Sequence, residues 1–239
     1  MNILITGYSQ GIGRKLTEGL MADGHRLWGF SRSAPFIHPD LSFIKGSVGS
    51  LHDCRMVADH VRRGWGSLDA IICCAGEIGP IGPTLSVNPT AWAACIDTNL
   101  IGTLNTLHAF APLLTGSRRG KIVCFSGGGA VSVKPNFSAY ACSKAAVMRL
   151  VETIAFEEPS LDINAVAPGA ISTSMTEAIL AAQMAGTEAH DEARNVKATG
   201  GASIERVKAL VGWLISEASD GVTGRLIAAQ WEDWRALRP

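Results

Sequence analysis

The sequence predicts an α/β fold: one doubly wound, parallel sheet of about seven strands with helices on both faces. Three observations predict it. Short apolar runs of strand type alternate with helical stretches along the whole chain, and such alternation builds right-handed βαβ units around a parallel sheet. A glycine-rich turn follows the first run at once and opens into a helix, which is how a phosphate-binding βα turn is made. The 239 residues, 47% of them hydrophobic, can bury a large core, and no Pro/Ser linker, charge block, internal repeat or low-complexity stretch divides them. A single domain over 1–239 is therefore expected.

The elements follow in order. Asn2–Thr6 is the first strand, Gly7-Tyr-Ser-Gln-Gly-Ile-Gly13 the turn, and 14–22, with Leu16, Leu20 and Met21 at helical spacing, the first helix. In a turn of this kind Gly7 allows the sharp reversal, Gly11 lets the backbone approach a pyrophosphate, and Gly13 lets the helix pack close to the sheet. The helix N-terminus adds free N–H groups and a positive dipole end. Ser9 and Ile12 lie in the same cradle. A Rossmann-type dinucleotide site is the expectation. Strands follow at 26–30, Leu41–Lys45 and 68–74, with a helix at 52–64 before the last of them. A long helix is expected at 88–114, with Pro89 near its start. Then come a strand at 121–125, a helix at 138–157 stopped by Pro159, and a strand at 161–166. Helix 203–217 carries Ile204, Val207, Leu210, Val211 and Leu214 on one face, and a seventh strand spans 225–229. Ligands in such sheets bind at the carboxyl ends of the strands.

Within Ser138-Ala-Tyr-Ala-Cys-Ser-Lys144, Tyr140 and Lys144 stand one helical turn apart on the same face. A free phenol has a pKa of about 10, and an adjacent ammonium favours the phenolate. The pairing is thus a means of making a tyrosine serve as an acid near neutral pH.

Lys+Arg and Asp+Glu balance at 21 each, which gives no reason to expect a nucleic-acid partner or an anionic membrane. Met1 runs straight into the first strand, leaving no room for a signal peptide, and no apolar run is long enough to span a bilayer. A cytoplasmic location is expected. The six cysteines (54, 73, 74, 95, 124, 142) lack CxxC spacing. They read as buried small hydrophobes in a reducing compartment, not as metal ligands or disulfides, with Cys73 and Cys74 pointing to opposite faces of their strand.

Five blocks, in this order and spacing, resemble the short-chain dehydrogenase/reductase family in its single-domain form. They are Thr6-Gly-x-x-x-Gly-Ile-Gly13, Cys74-Ala-Gly76, Asp97-Thr-Asn-Leu-Ile-Gly102, Tyr140-x-x-x-Lys144 and Asn164-Ala-Val-Ala-Pro-Gly169. The resemblance runs from Asn2 to about Trp234. It implies NAD(P) lying along the strand ends and reversible hydride transfer between nicotinamide and a small carbonyl or alcohol. It also implies a homodimer or homotetramer built from the fourth and fifth helices. By the same resemblance Tyr140 is the general acid, and Lys144 lowers its pKa and holds the nicotinamide ribose hydroxyls. Asn99 holds a water in the proton path behind Lys144. Pro168, Gly169, Ile171 and Thr173 line the nicotinamide, while Cys74, Ala75 and Gly76 line the cofactor after the fourth strand.

The chain departs from the family pattern at several points. The family's catalytic serine, which donates to the developing oxyanion, falls on Gly127 within Ser126-Gly-Gly-Gly129. Ser126 is the preferred substitute, since glycines permit unusual backbone angles. Ser138 and the backbone N–H groups of 127–129 are the alternatives. Cys74 replaces the family's asparagine, and Ser47 stands where an acidic residue commonly contacts the adenine. At the end of the second strand Ser31-Arg32-Ser33 carries no carboxylate. Arg32 suits a 2′-phosphate, with Ser31 and Ser33 donating, so NADP(H) is favoured, with NAD(H) as the alternative.

Segment 174–201 is the expected substrate lid: an apolar helical first half around Met175, Ile179 and Leu180, then a charged, Gly-rich mobile loop in which His190 is solvated. The tail Gln230-Trp-Glu-Asp-Trp234 reads as an oligomer contact, or as a cover for the pocket that suits a sugar or polyol. Two other functions share these motifs. One is a cofactor-binding sensor or scaffold in which Gly127 has removed turnover. The other is an epimerase or dehydratase using the same Tyr–Lys pair.

Overall fold

The computed structural model describes residues 1–33, 38–115 and 119–239. Strand β1 (Asn2–Thr6) leads through the glycine turn into α1 (Gly11–Ala22), followed by β2 (Arg26–Ser31), β3 (Leu41–Lys45), α2 (Leu51–Trp65) and β4 (Ala70–Cys73). The second half runs α3 (Pro89–Ile96), α4 (Gly102–Phe110), β5 (Gly120–Phe125), α5 (Ser138–Glu157), β6 (Leu161–Ala167), α6 (Ser174–Ala181), α7 (Thr187–Thr199), α8 (Ile204–Leu214) and β7 (Leu226–Ala228). All seven strands pair in parallel, in the order β3-β2-β1-β4-β5-β6-β7. The chain builds outward from β1 to β3, then crosses back and builds outward from β4 to β7. The strand order therefore reverses between β1 and β4, and the carboxyl ends of these two strands diverge into a crevice.

Alternation along each strand feeds two hydrophobic layers. On one face Ile3 and Ile5 of β1 pack with Leu16 and Leu20 of α1 and with Val207, Leu210 and Leu214 of α8. On the other, Leu4 meets Val57 and Val61 of α2, Phe110 of α4 and Val147 and Val151 of α5. Burial of each such side chain contributes roughly 1.5–3 kcal/mol. Cys73 belongs to the second layer and Cys74 packs against the first, the opposed arrangement expected of neighbours in a strand. Cys54, Cys95 and Cys124 are buried too, whereas Cys142 lies exposed on α5, against expectation. Among the described residues no helix is long and apolar enough to cross a membrane.

The expected helix 88–114 is not uniform. Asn88 caps it, its side-chain oxygen accepting from the N–H groups of Thr90 and Ala91, and Pro89 occupies the first turn. Between α3 and α4 the backbone widens into a π turn at Asp97–Ile101, and beyond α4 Pro112 tightens it into a 3₁₀ turn at Ala111–Leu113. The π turn carries Asn99, and such turns concentrate at functional sites.

A larger correction concerns 187–199, expected as a mobile loop and found as helix α7. Gly186 and Gly200, both at positive φ, bound it. Ala193 and Val196 are buried one turn apart, and Asp191 pairs with Arg194 across one turn. Lys197 bridges to Glu177 of α6. His190 is likewise not free in solvent: its Nε2 lies 2.9 Å from the carbonyl of Ala182, tying α7 to the end of α6. The apolar period in 187–199 is sparse, so charge and glycine content outweighed it in the sequence reading.

Candidate active site

The glycine turn after β1 takes its shape from contacts that a side chain would forbid. Gly7 has φ +68°, and a Cβ there would lie 2.6 Å from the Cα of Ala75, so β1 and β4 touch backbone to backbone at the crevice. A Cβ on Gly13 would sit 2.2 Å from the carbonyl oxygen of Gly7. The third glycine thus lets the first turn of α1 close directly onto the backbone at the end of β1. Gln10 occupies the N-cap of α1 without a side-chain bond to the helix. Thr6 completes the junction: its Oγ1 accepts from the N–H groups of both Cys74 and Ala75 at 3.2 Å.

This turn forms one wall of a cleft of about 370 Å³ at the carboxyl ends of the strands. Gly7, Ser9, Gly11, Ile12 and Gly13 line it, joined by Ser31 and Arg32 from the end of β2 and by Cys74, Ala75 and Gly76 after β4. Tyr140, Lys144, Ser126, Pro168 and Thr173 complete the expected set. Asn99, Gly169 and Ile171 do not line the cleft. Ile171 is buried in the first hydrophobic layer. Gly169, at φ +82°, sits against Ala202 and Gln230, and Gln230 Nε2 donates to the Pro168 carbonyl at 2.9 Å. Gly169 and Ile171 therefore shape the loop that presents Pro168 and Thr173. Gln10, Glu77, Ile78, Thr98, Phe125, Met175 and Ala178 also line the cleft. Met175 and Ala178 belong to the expected lid, whereas Gln10, Glu77, Ile78, Thr98 and Phe125 carried no expected role in the site. For Glu77 the available signal was its position directly after Cys74-Ala-Gly76.

Tyr140 and Lys144 project from α5 beneath the end of β5. Lys144 is buried, and its Nζ donates to the Phe125 carbonyl at 2.8 Å. Ser126 Oγ in turn donates to the Lys144 carbonyl at 3.1 Å. The two bonds clasp β5 to α5 from both sides. Lys144 was expected to acidify Tyr140. Instead burial pushes the Tyr140 phenol up to about 12, with Cys95 adding to the rise. The ammonium stands 5.6 Å from the phenol ring centroid and faces the backbone carbonyl. Desolvation lowers the Lys144 pKa. Gly127 is extended, and a Cβ there would lie 2.8 Å from the Tyr140 hydroxyl. The phenol hydroxyl thus occupies the space into which a side chain at 127 would project.

Asn99 is buried behind the cleft with its amide fully engaged. Its Oδ1 accepts from the Glu77 N–H at 2.8 Å, and its Nδ2 donates to the Glu77 carbonyl and to Ser143 Oγ, both at 2.9 Å. Glu77 is therefore pinned through its backbone on both sides. At the other end of the cleft, Ser47 N–H donates to Asp53 at 2.9 Å, a bond that with Ser50 holds this carboxyl below the usual carboxylate range. Ser31 Oγ bonds the carbonyl of Ser33. Arg32 is exposed and reaches Glu77 across the cleft. Of the expected lid, Ser174, Met175 and Ala178 of α6 face the cleft. None of residues 230–234 lines it, and Trp234 is buried in the first hydrophobic layer. Among the described residues no group of His, Cys, Asp and Glu is arranged to hold a metal ion.

A parallel sheet with a glycine turn at its point of reversal, opening on a cleft lined by a tyrosine and a buried lysine, defines a dinucleotide-binding α/β domain of catalytic type. Residues 1–184 match the family model described as short chain dehydrogenase. The chain is 34% identical to an uncharacterised oxidoreductase of Schizosaccharomyces pombe over 186 residues, 74% of this chain and 73% of that protein. It is 31% identical to a benzil reductase, (S)-benzoin forming, of Saccharomyces cerevisiae over 194 residues, 74% of each. The ligand-free aldohexose dehydrogenase of Thermoplasma acidophilum superposes with a TM-score of 0.85 at 26% identity, over 96% of this chain and 92% of that one. The chain belongs to the short-chain dehydrogenase family, whose members are NAD(P)-linked oxidoreductases.

Proposed function

We propose that the chain is an NADP(H)-preferring oxidoreductase that interconverts a small carbonyl compound and its alcohol, with Tyr140 as the proton donor. The observation that carries this reading is that one cleft is lined by the glycine turn, by Arg32 and by the Tyr140–Lys144 pair. The residues present fit a nicotinamide dinucleotide. A side chain at Gly7 or Gly13 would fill the turn, and the first turn of α1 carries no side-chain cap that would compete for its N–H groups. Such a cofactor, once bound, supplies the hydride. Gly7, Ser9, Gly11, Ile12 and Gly13 hold the pyrophosphate. Ser31 and Arg32 hold the 2′-phosphate, Cys74 and Ala75 border the adenosine, and Pro168 and Thr173 border the nicotinamide. Lys144 holds the ribose hydroxyls.

Tyr140 gives its proton to the carbonyl oxygen during reduction and takes it back during oxidation. Ser126, engaged with the Lys144 carbonyl, positions the catalytic helix. The backbone N–H groups of 127–129, next to the Tyr140 hydroxyl, supply the oxyanion donors. Asn99 acts through the segment it pins at Glu77. Ile78, Met175 and Ala178 give the substrate end an apolar wall, with α6 and α7 as its lid. Aromatic ketones and diketones, like the benzil of the yeast relative, are the first class to screen, and aldohexoses the second. Phe156 on α5 (91% exposed) and Ile101 and Leu104, beside the start of α4, are exposed apolar side chains, which suits association through these helices into a homodimer or homotetramer.

The test is titration of the protein with NADPH and NADH, followed by nicotinamide fluorescence. Tighter binding of NADPH is expected. Equal or tighter binding of NADH would remove Arg32 from the 2′-phosphate, and binding of neither would overturn the oxidoreductase reading.

The high pKa of Tyr140 has a direct spectroscopic consequence. The chain has two tyrosines, and burial raises both Tyr8 and Tyr140 above the free value. Ultraviolet difference titration of the native protein is expected to show no tyrosinate up to about pH 10. The unfolded chain releases these protons at lower pH than the native one, so this stabilisation is complete below about pH 10 and is lost as pH rises toward the native values. A full tyrosinate equivalent near pH 8 would mean that Lys144 acidifies Tyr140 after all.

A further inference from the structure

We propose that Glu77 is a cofactor-selecting residue that holds Arg32 in competition with the 2′-phosphate. The proposal deepens the oxidoreductase reading above and rests on it. Arg32 and Glu77 rise from opposite sides of the crevice, one at the end of β2 and the other beyond β4, with the end of β1 between them. Both line the cleft, and Arg32 Nη2 lies 4.0 Å from Glu77 Oε2. The pair spans the groove in which the adenosine half of a dinucleotide must lie.

The two partners differ in freedom. The Arg32 side chain is 73% exposed, whereas that of Glu77 is 32% exposed. The Glu77 backbone is held on both sides by the Asn99 amide, with Cys95 Sγ 3.7 Å from the same carbonyl. When a 2′-phosphate takes the guanidinium, the Glu77 carboxylate stays close, since its root cannot move, and two anions then share one cation. That raises the cost of a phosphorylated cofactor specifically, because a ribose 2′-OH brings no charge. Arg32 favours the phosphate and Glu77 limits how much.

The experiment compares NADPH and NADH dissociation constants for the wild-type chain, Glu77→Gln, Arg32→Gln and the double variant, all in the same buffer at low salt. Glu77→Gln keeps shape and hydrogen-bonding capacity while removing the charge. It is expected to tighten NADPH roughly threefold to tenfold and to leave NADH within about twofold. In the Arg32→Gln background the gain from Glu77→Gln is expected to shrink to about twofold or less, since the competition has lost its object. Equal tightening of both cofactors, no change in either, or a full gain that survives in the Arg32→Gln background would each overturn the proposal. These outcomes leave the dehydrogenase reading standing. Failure of the wild-type chain to bind either cofactor removes that reading, and this inference with it.

Discussion

Replacing Tyr140 with phenylalanine is expected to lower kcat by about 10²–10⁴ while leaving NADPH binding within about threefold of wild type. The ring is retained, so the packing of α5 beneath β5 and the burial of Lys144 are preserved. Only the hydroxyl is lost, and that hydroxyl is the proposed proton source at the cleft. Neither candidate for the family's serine stands ready to replace it. Ser126 is committed to the Lys144 carbonyl, and position 127 carries no side chain. The measurement is steady-state turnover of a screened ketone alongside a cofactor titration. Turnover surviving at more than about a tenth of the wild-type rate would show that Tyr140 is not the acid. Loss of cofactor binding along with turnover would show that the substitution has disturbed the clasp between β5 and α5.

The largest expected effect on stability lies at the opposite end of the sheet. Asp162 of β6 is almost fully buried and gathers three donors. Arg119 Nη2 approaches to 2.9 Å, Lys121 Nζ to 2.8 Å and the Gly221 N–H to 3.2 Å. Lys121 is itself buried, with Asp220 Oδ1 at 2.6 Å and Ser219 Oγ at 3.3 Å. Asp162→Ala removes the shared partner and leaves the Lys121 ammonium under-compensated in a low-dielectric setting. The expected cost is about 3–5 kcal/mol. Urea denaturation should show a lower midpoint with an unchanged slope. Asp162→Asn keeps part of the hydrogen bonding and should lose less. Because the network sits at the amino ends of the strands and the cleft at their carboxyl ends, NADPH affinity below the unfolding transition should be unaltered. A loss under about 1 kcal/mol would mean that water or side-chain movement compensates Lys121.

The features legible in the chain are those set by local chemistry. Strand and helix periods located all seven strands, because apolar residues recur at the spacing of the surface they bury, and boundaries moved by a residue or two. The glycine turn was legible because Gly7 must reverse the chain at a positive φ, a demand of local backbone sterics. Tyr140 and Lys144 were legible because four residues on a helix is one turn.

Other features depend on which elements meet, and there spacing alone is silent. The order of the strands, and hence the place of the crevice between β1 and β4, follows from how the crossovers pack. Ser126 turned out to face the carbonyl of Lys144, because the end of β5 and the helix α5 converge there. The same convergence buries the Tyr140 phenol and aims the Lys144 ammonium at a backbone carbonyl, so that desolvation outweighs the attraction that sequence spacing suggested. By itself the sequence determined a dinucleotide-binding α/β domain and the residue types its chemistry requires. Only the tertiary structure decided which polar groups satisfy one another and which face the cleft, because burial and hydrogen-bond partnership are properties of neighbours in space.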